Sequence, residues 1–104
     1  MNEQEFRQRR AQLIRAELQM PLQMFYLSFV NDGAFAGAVF IEAHGVTTAV
    51  EAAWRLGINP GGQVACVPCD IPILPELQNR LLSKDELTAA FGPTRPMFSE
   101  TPKP

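Results

Sequence analysis

Met24-Phe25-Tyr26-Leu27-Ser28-Phe29-Val30 is the stretch that decides the fold. It is aromatic and aliphatic with a partial alternation, and it carries no charge, glycine or proline, which is the composition of a strand on a pleated, buried surface. Asn31-Asp32-Gly33 follows with turn chemistry. Gly33-Ala34-Phe35-Ala36-Gly37 reads as a flexible hairpin tip, and Ala38 to Ala43 (AVFIEA) as the returning strand. The two runs predict an antiparallel hairpin.

Downstream, Thr47 or Thr48 is expected to start a helix, because Thr48 with Glu51 has capping-box spacing. The helix runs through Val50, Ala53, Trp54 and Leu56, and Gly57 is placed as its left-handed C′ residue. Asn59-Pro60-Gly61-Gly62 is a tight turn and Gln63 to Val67 a third strand. The segment between strands two and three has the length of a crossover, which makes those strands parallel through a right-handed connection. Strand one is antiparallel to both and, as the most apolar, lies in the centre. The predicted fold is α+β: a three-stranded mixed sheet of order 2-1-3, a crossover helix on one face, and N-terminal and C-terminal helices.

Residues 2–19 read as the first of these helices. Asn2 and Glu5 fit a capping pattern, and no breaker occurs before Pro21. Its apolar stripe is thin: Phe6, Leu13, Ile14, Ala16 and Leu18, with Arg9 and Arg10 where another apolar turn would sit. Pro68, Pro72 and Pro75 make residues 68–76 an irregular connection, and a short turn follows around Glu76–Leu81. The last helix, Lys84 to Phe91, is capped by Ser83 with Glu86 closing the box. The expected organisation is a helix over 1–20, a core domain over 21–92 and a loose proline-rich tail over 93–104.

Length and charge narrow the function. The chain has 104 residues, room for one domain. Residues 1–20 hold four arginines against three glutamates, net +1; the remainder holds five basic against eight acidic residues, net −3. A duplex-binding protein is normally basic, so nucleic acid is not the expected partner. No apolar run approaches a membrane span, and the N-terminus lacks the apolar region of a secretory signal, so a cytoplasmic location is expected.

Chemistry has few residues to work with. Cys66-Val67-Pro68-Cys69 suggests a redox pair, but Pro72 and Pro75 prevent the following segment from being the helix that would activate a thiolate. Cys66, Cys69 and His44 form the single conceivable zinc set; the alternative makes Cys66 a small buried strand residue and places Cys69 at the strand's exit. Gly57-Ile58-Asn59-Pro60-Gly61-Gly62 leaves a helix and enters a strand, the reverse of a phosphate loop, so it reads as a turn. No nucleophile–base pair is evident, and the expectation is a non-enzymatic protein without a cofactor.

The sheet's two faces carry the functional expectation. Phe25, Leu27, Phe29, Val39 and Ile41 point one way, beneath the crossover helix; Met24, Tyr26, Ser28, Val30 and Phe40 point the other. Met24, Tyr26, Val30 and Phe40 therefore need a cover, either a terminal helix or another molecule such as a second copy. With Arg7, Arg9 and Arg10 of the first helix, they are the expected protein-binding residues. An RNA-stacking role for Tyr26 and Phe40 would need a basic surround, for which only Arg7, Arg9, Arg10 and Arg15 are on offer.

Phe25-Tyr26-Leu27-Ser28-Phe29, Phe35 to Ala43 (FAGAVFIEA), Leu56 to Val64 (LGINPGGQV) and Asn79 to Ser83 (NRLLS) together resemble a group of short, uncharacterised bacterial and phage proteins. The resemblance spans Phe25 to Leu87 and implies a setting without an established activity: a phage or mobile-element protein in a bacterial host cell. There it would bind a bacterial protein or complex, for example to inhibit a host defence system. The alternative function is a small metal-binding or nucleic-acid-binding regulator built on Cys66, Cys69 and His44.

Overall fold

The computed structural model describes residues 2–92. The expectation for the tail over 93–104 lies outside the described residues. In chain order the elements are α1 (Glu3–Glu17), β1 (Gln23–Asn31), β2 (Ala34–Ala43), α2 (Val46–Arg55), β3 (Gln63–Pro68), a 3-10 turn (Pro75–Leu77) and α3 (Lys84–Phe91). The sheet order is β2-β1-β3. β2 and β3 run the same way on either side of β1, and both ladders are antiparallel.

The hairpin is longer than its glycines suggest. Asp32 and Gly33, at φ 52° and 76°, make a two-residue turn of the primed kind that suits the strand twist. Strand β2 starts directly after it, so Ala34 to Gly37 are paired strand and not a flexible tip. The ladder shifts register between Phe29 and Val30, where Phe29 faces Gly37 and Val30 faces Phe35, leaving Ala36 as the extra residue of a bulge. Gly37 at φ 130° supplies the backbone conformation the bulge requires.

Two cores flank β1. On one side Phe25, Leu27, Phe29, Val39 and Ile41 pack under Ala49, Ala52 and Ala53 of α2, whose small side chains let the helix lie close to the sheet. On the other, Tyr26, Ala38 and Phe40 pack under Cys69, Ile73, Leu82 and Leu87, with Met24, Phe35, Leu77 and Phe91 at the margin. The second cover is therefore the chain from 69 to 91. It is fixed by Gln78 Nε2 donating to the Ile73 carbonyl (2.9 Å), and by Arg80, whose Nε donates to the Glu76 carbonyl (3.0 Å) and whose guanidinium meets Glu86 (3.0 Å).

Helix α2 begins differently from its sequence signal. Its N-cap is Gly45, one turn before the expected Thr48–Glu51 box, and a glycine has no side chain to cap with. Thr48 Oγ1 accepts the Gly45 amide (3.0 Å), and the Thr47 and Thr48 amides are satisfied from α1. The Glu17 carboxylate accepts Thr47 N–H at 2.8 Å and Thr48 N–H at 2.7 Å, thirty residues away in sequence. A Cβ on residue 45 would meet the Glu17 side chain within 2.7 Å, so the glycine makes room for this distant cap.

Candidate binding surface

The structure overturns the expected binding face. Tyr26 is 3% exposed and Phe40 is 0% exposed, their rings 5.2 Å apart, and Phe91 of α3 stacks on Phe40 at 5.6 Å. Met24, at the margin of this cluster, and Val30 are half-buried. The physical reason is that residues 69–91, broken by prolines and weakly patterned, still deliver Ile73, Leu77, Leu82 and Leu87 onto the sheet. Within one subunit Tyr26 and Phe40 are already covered, so they offer no docking surface and cannot stack on bases, while Met24 and Val30 keep part of their surface exposed.

The metal set is dispersed as well. Cys66 lies opposite Leu27 and packs on the α2 side of the sheet, whereas Cys69 lies in the cluster on the other side. His44 Nδ1–H donates to the Met20 carbonyl at 2.7 Å, which settles the proton on that nitrogen because a carbonyl can only accept. Among the described residues no group of three or more His, Cys, Asp or Glu side chains is arranged to hold a metal ion. Burial, with the Glu17 carboxylate adding to it, pushes the Cys66 thiol up to about 11; burial also raises the Cys69 thiol. Both thiols are thus protonated near neutrality, the reverse of what a metal ligand or nucleophile needs.

What remains open is the layer formed by α1 and α2. Helix α1 has no buried residue. It is held through polar contacts: the Glu17 cap, an Arg10–Glu51 ion pair at 3.3 Å, and the Met20–His44 hydrogen bond just beyond its end. Phe6 and Leu13 are 59% and 51% exposed, and Trp54 of α2 is 57% exposed. Of the expected arginines, Arg7 pairs with Glu3 (2.8 Å) and Arg10 with Glu51, while Arg9 has no ion pair among the described residues. Trp54 lies outside the core, because Ala49, Ala52 and Ala53 take the buried arc of the helix.

Among the described residues, no helix is long and apolar enough to cross a membrane. Compared with known proteins, the chain matches no protein family, no curated protein and no solved structure.

Proposed function

We propose that this chain is a non-enzymatic protein-binding module that engages its partner through α1 and the adjoining surface of α2. The observation that carries the reading is a fifteen-residue helix with none of its residues buried, although it bears Phe6 and Leu13. A helix of this length is marginal in water by itself. Polar contacts hold it in place and leave Phe6 and Leu13 exposed, with Ile14 half-buried, which suits a helix presented to a groove. Arg9 and the rim arginines Arg7 and Arg10 favour a groove bordered by carboxylates.

The setting is proposed from the sequence resemblance alone: a phage or mobile-element protein acting on a bacterial protein or complex, with inhibition of a defence complex as one concrete form. The alternative regulator built on Cys66, Cys69 and His44 loses its support, since those side chains are not brought together.

A pull-down from bacterial lysate with wild type and the Phe6→Glu/Leu13→Glu double variant tests the reading. Wild type should retain a stoichiometric partner that the variant loses, while the two proteins melt alike. Equal retention by both proteins, or no stoichiometric partner for either, would reject it.

A further inference from the structure

The sheet's two edges are treated differently by the chain. On the β2 edge, Ala38 and Leu82 exchange both backbone hydrogen bonds (3.0 and 2.8 Å), and the Phe40 carbonyl accepts the Asn79 amide (2.8 Å). That edge is closed by the chain itself. On the other, β3 pairs with β1 alone among the described residues.

The register says which β3 groups are left. Cys69 N–H donates to the Met24 carbonyl at 2.9 Å, so hydrogen-bonded pairs recur at every second position: Tyr26 with Val67, Ser28 with Ala65, Val30 with Gln63. Val64, Cys66 and Pro68 therefore aim their backbone groups away from β1. Pro68 has no N–H, which leaves a complete donor and acceptor at Val64 and at Cys66.

Edge strands are ordinarily protected by shortness, charge, proline, bulges or a covering segment, and of these β3 has only Pro68, at its last position. Here Gly57 to Cys69 contains no charged residue, β3 forms a regular ladder without a bulge, and Val64 and Val67 are 39% and 48% exposed. A neutral strand meets no repulsion from its own copy across a two-fold axis. It also carries no charge that would select a foreign strand.

We propose that β3 pairs antiparallel with the β3 of a second copy of this chain, about a two-fold axis at Ala65. In that register Val64 faces Cys66 of the partner copy and Cys66 faces Val64, so all four free donors and all four free acceptors are used. Centring on Cys66 would oppose Val64 to Pro68, which has no N–H, and leave the Val64 carbonyl of each copy unpaired. Centring on Val64 would oppose Cys66 to Gly62, outside the strand. The product is an isologous dimer with one continuous six-stranded sheet. Directly opposed residues share a face, so both α2 helices lie on the same side of it.

The Ala65 pair would meet at the axis, and Ala65 is exposed in the single chain, so charge can be placed there without disturbing the fold. The experiment measures mass in solution for the full chain, Ala65→Lys, Ala65→Glu, and an equal mixture of the two variants at low salt. Wild type is expected at twice 11.5 kDa, each variant at the single mass with an unchanged circular dichroism spectrum, and the mixture again at the double mass. A wild type that stays at the single mass at the highest attainable concentration overturns the proposal, including the case where β3 takes its strand from another protein. Variants that remain double, or a mixture that stays single, overturn it as well. None of these outcomes depends on α1 finding a partner.

Discussion

The Glu17 carboxylate accepts the Thr48 amide at 2.7 Å, and through this bond the N-terminal helix supplies the cap that α2 lacks. The relationship serves both helices: α2 gains an anion at its positive end, and α1 gains its anchor. Burial alone would raise the Glu17 carboxyl, but the Thr48 and Thr47 amides outweigh it and hold it below its ordinary value. A carboxyl depressed in the folded state contributes stability that is complete above its unfolded pKa and is lost as pH falls through its folded pKa. Glu17→Gln should therefore cost about 1 kcal/mol at neutral pH, in the range of a lost N-cap. The deficit should shrink on acidification below about pH 4, where the wild type loses the same charge. Thermal melts of both proteins from neutral to acid pH check this. A deficit that persists undiminished into acid would mean the charge is not what matters.

Phe40 sits in the cluster under residues 69–91 and should behave as core. Phe40→Ala is expected to cost about 3–5 kcal/mol, as for large aromatic truncations in packed interiors. Tyr26→Glu places a carboxylate in the same cluster and should abolish cooperative unfolding. Trp54→Glu should stay within about 0.5 kcal/mol of wild type, because its side chain is largely in solvent. Denaturant titration of the three variants orders them. A Tyr26→Glu protein that remained folded would restore that face as a surface.

The strand order, the α2-side core and the cap of α3 were legible because each rests on local chemistry. An uncharged run marks β1, alternation assigns Leu27 and Val39 to one face, and Ser83 with Glu86 accepts and returns its own cap hydrogen bonds. A terminal helix was one of the two covers the sequence offered for Tyr26 and Phe40, and Leu87 and Phe91 of α3 supply part of it; the rest was not legible, because prolines at 68, 72 and 75 erase any periodicity while Ile73, Leu77 and Leu82 act singly. Nor was the Glu17 cap, since a carboxylate thirty residues from its amides leaves no spacing to read. The open β3 edge could have been suspected from the absence of any charge between Gly57 and Cys69.

Gly61 and Gly62 both have positive φ, at 88° and 82°, yet only one should be irreplaceable. A Cβ on Gly61 meets open space, whereas one on Gly62 would collide with the Val30 carbonyl oxygen in the backbone of β1. Gly61→Ala should lose only the left-handed penalty, about 1–2 kcal/mol. Gly62→Ala should lose clearly more, because relief requires moving the central strand or breaking its pairing with Gln63. Equal losses in chemical denaturation would show that the close approach is not maintained in solution.

Cys66 reports on Glu17 through the carboxylate's charge. Burial is the main reason its thiol sits at about 11, with the Glu17 carboxylate second. At pH 8 roughly one thiol in a thousand would be ionised, against about a quarter for an ordinary cysteine. Alkylation of native Cys66 by iodoacetamide should therefore be slower than in the unfolded chain by roughly a hundredfold or more. Glu17→Gln removes the neighbouring negative charge, which lowers the thiol pKa, so Cys66 should react faster in that variant at the same pH. Peptide mapping after timed alkylation separates Cys66 from Cys69, whose raised thiol faces the opposite core and has no Glu17 beside it. If both cysteines accelerate equally in the variant, the change is general loosening of the fold. Acceleration confined to Cys66 locates the Glu17 carboxylate where it can both cap α2 and suppress the thiolate.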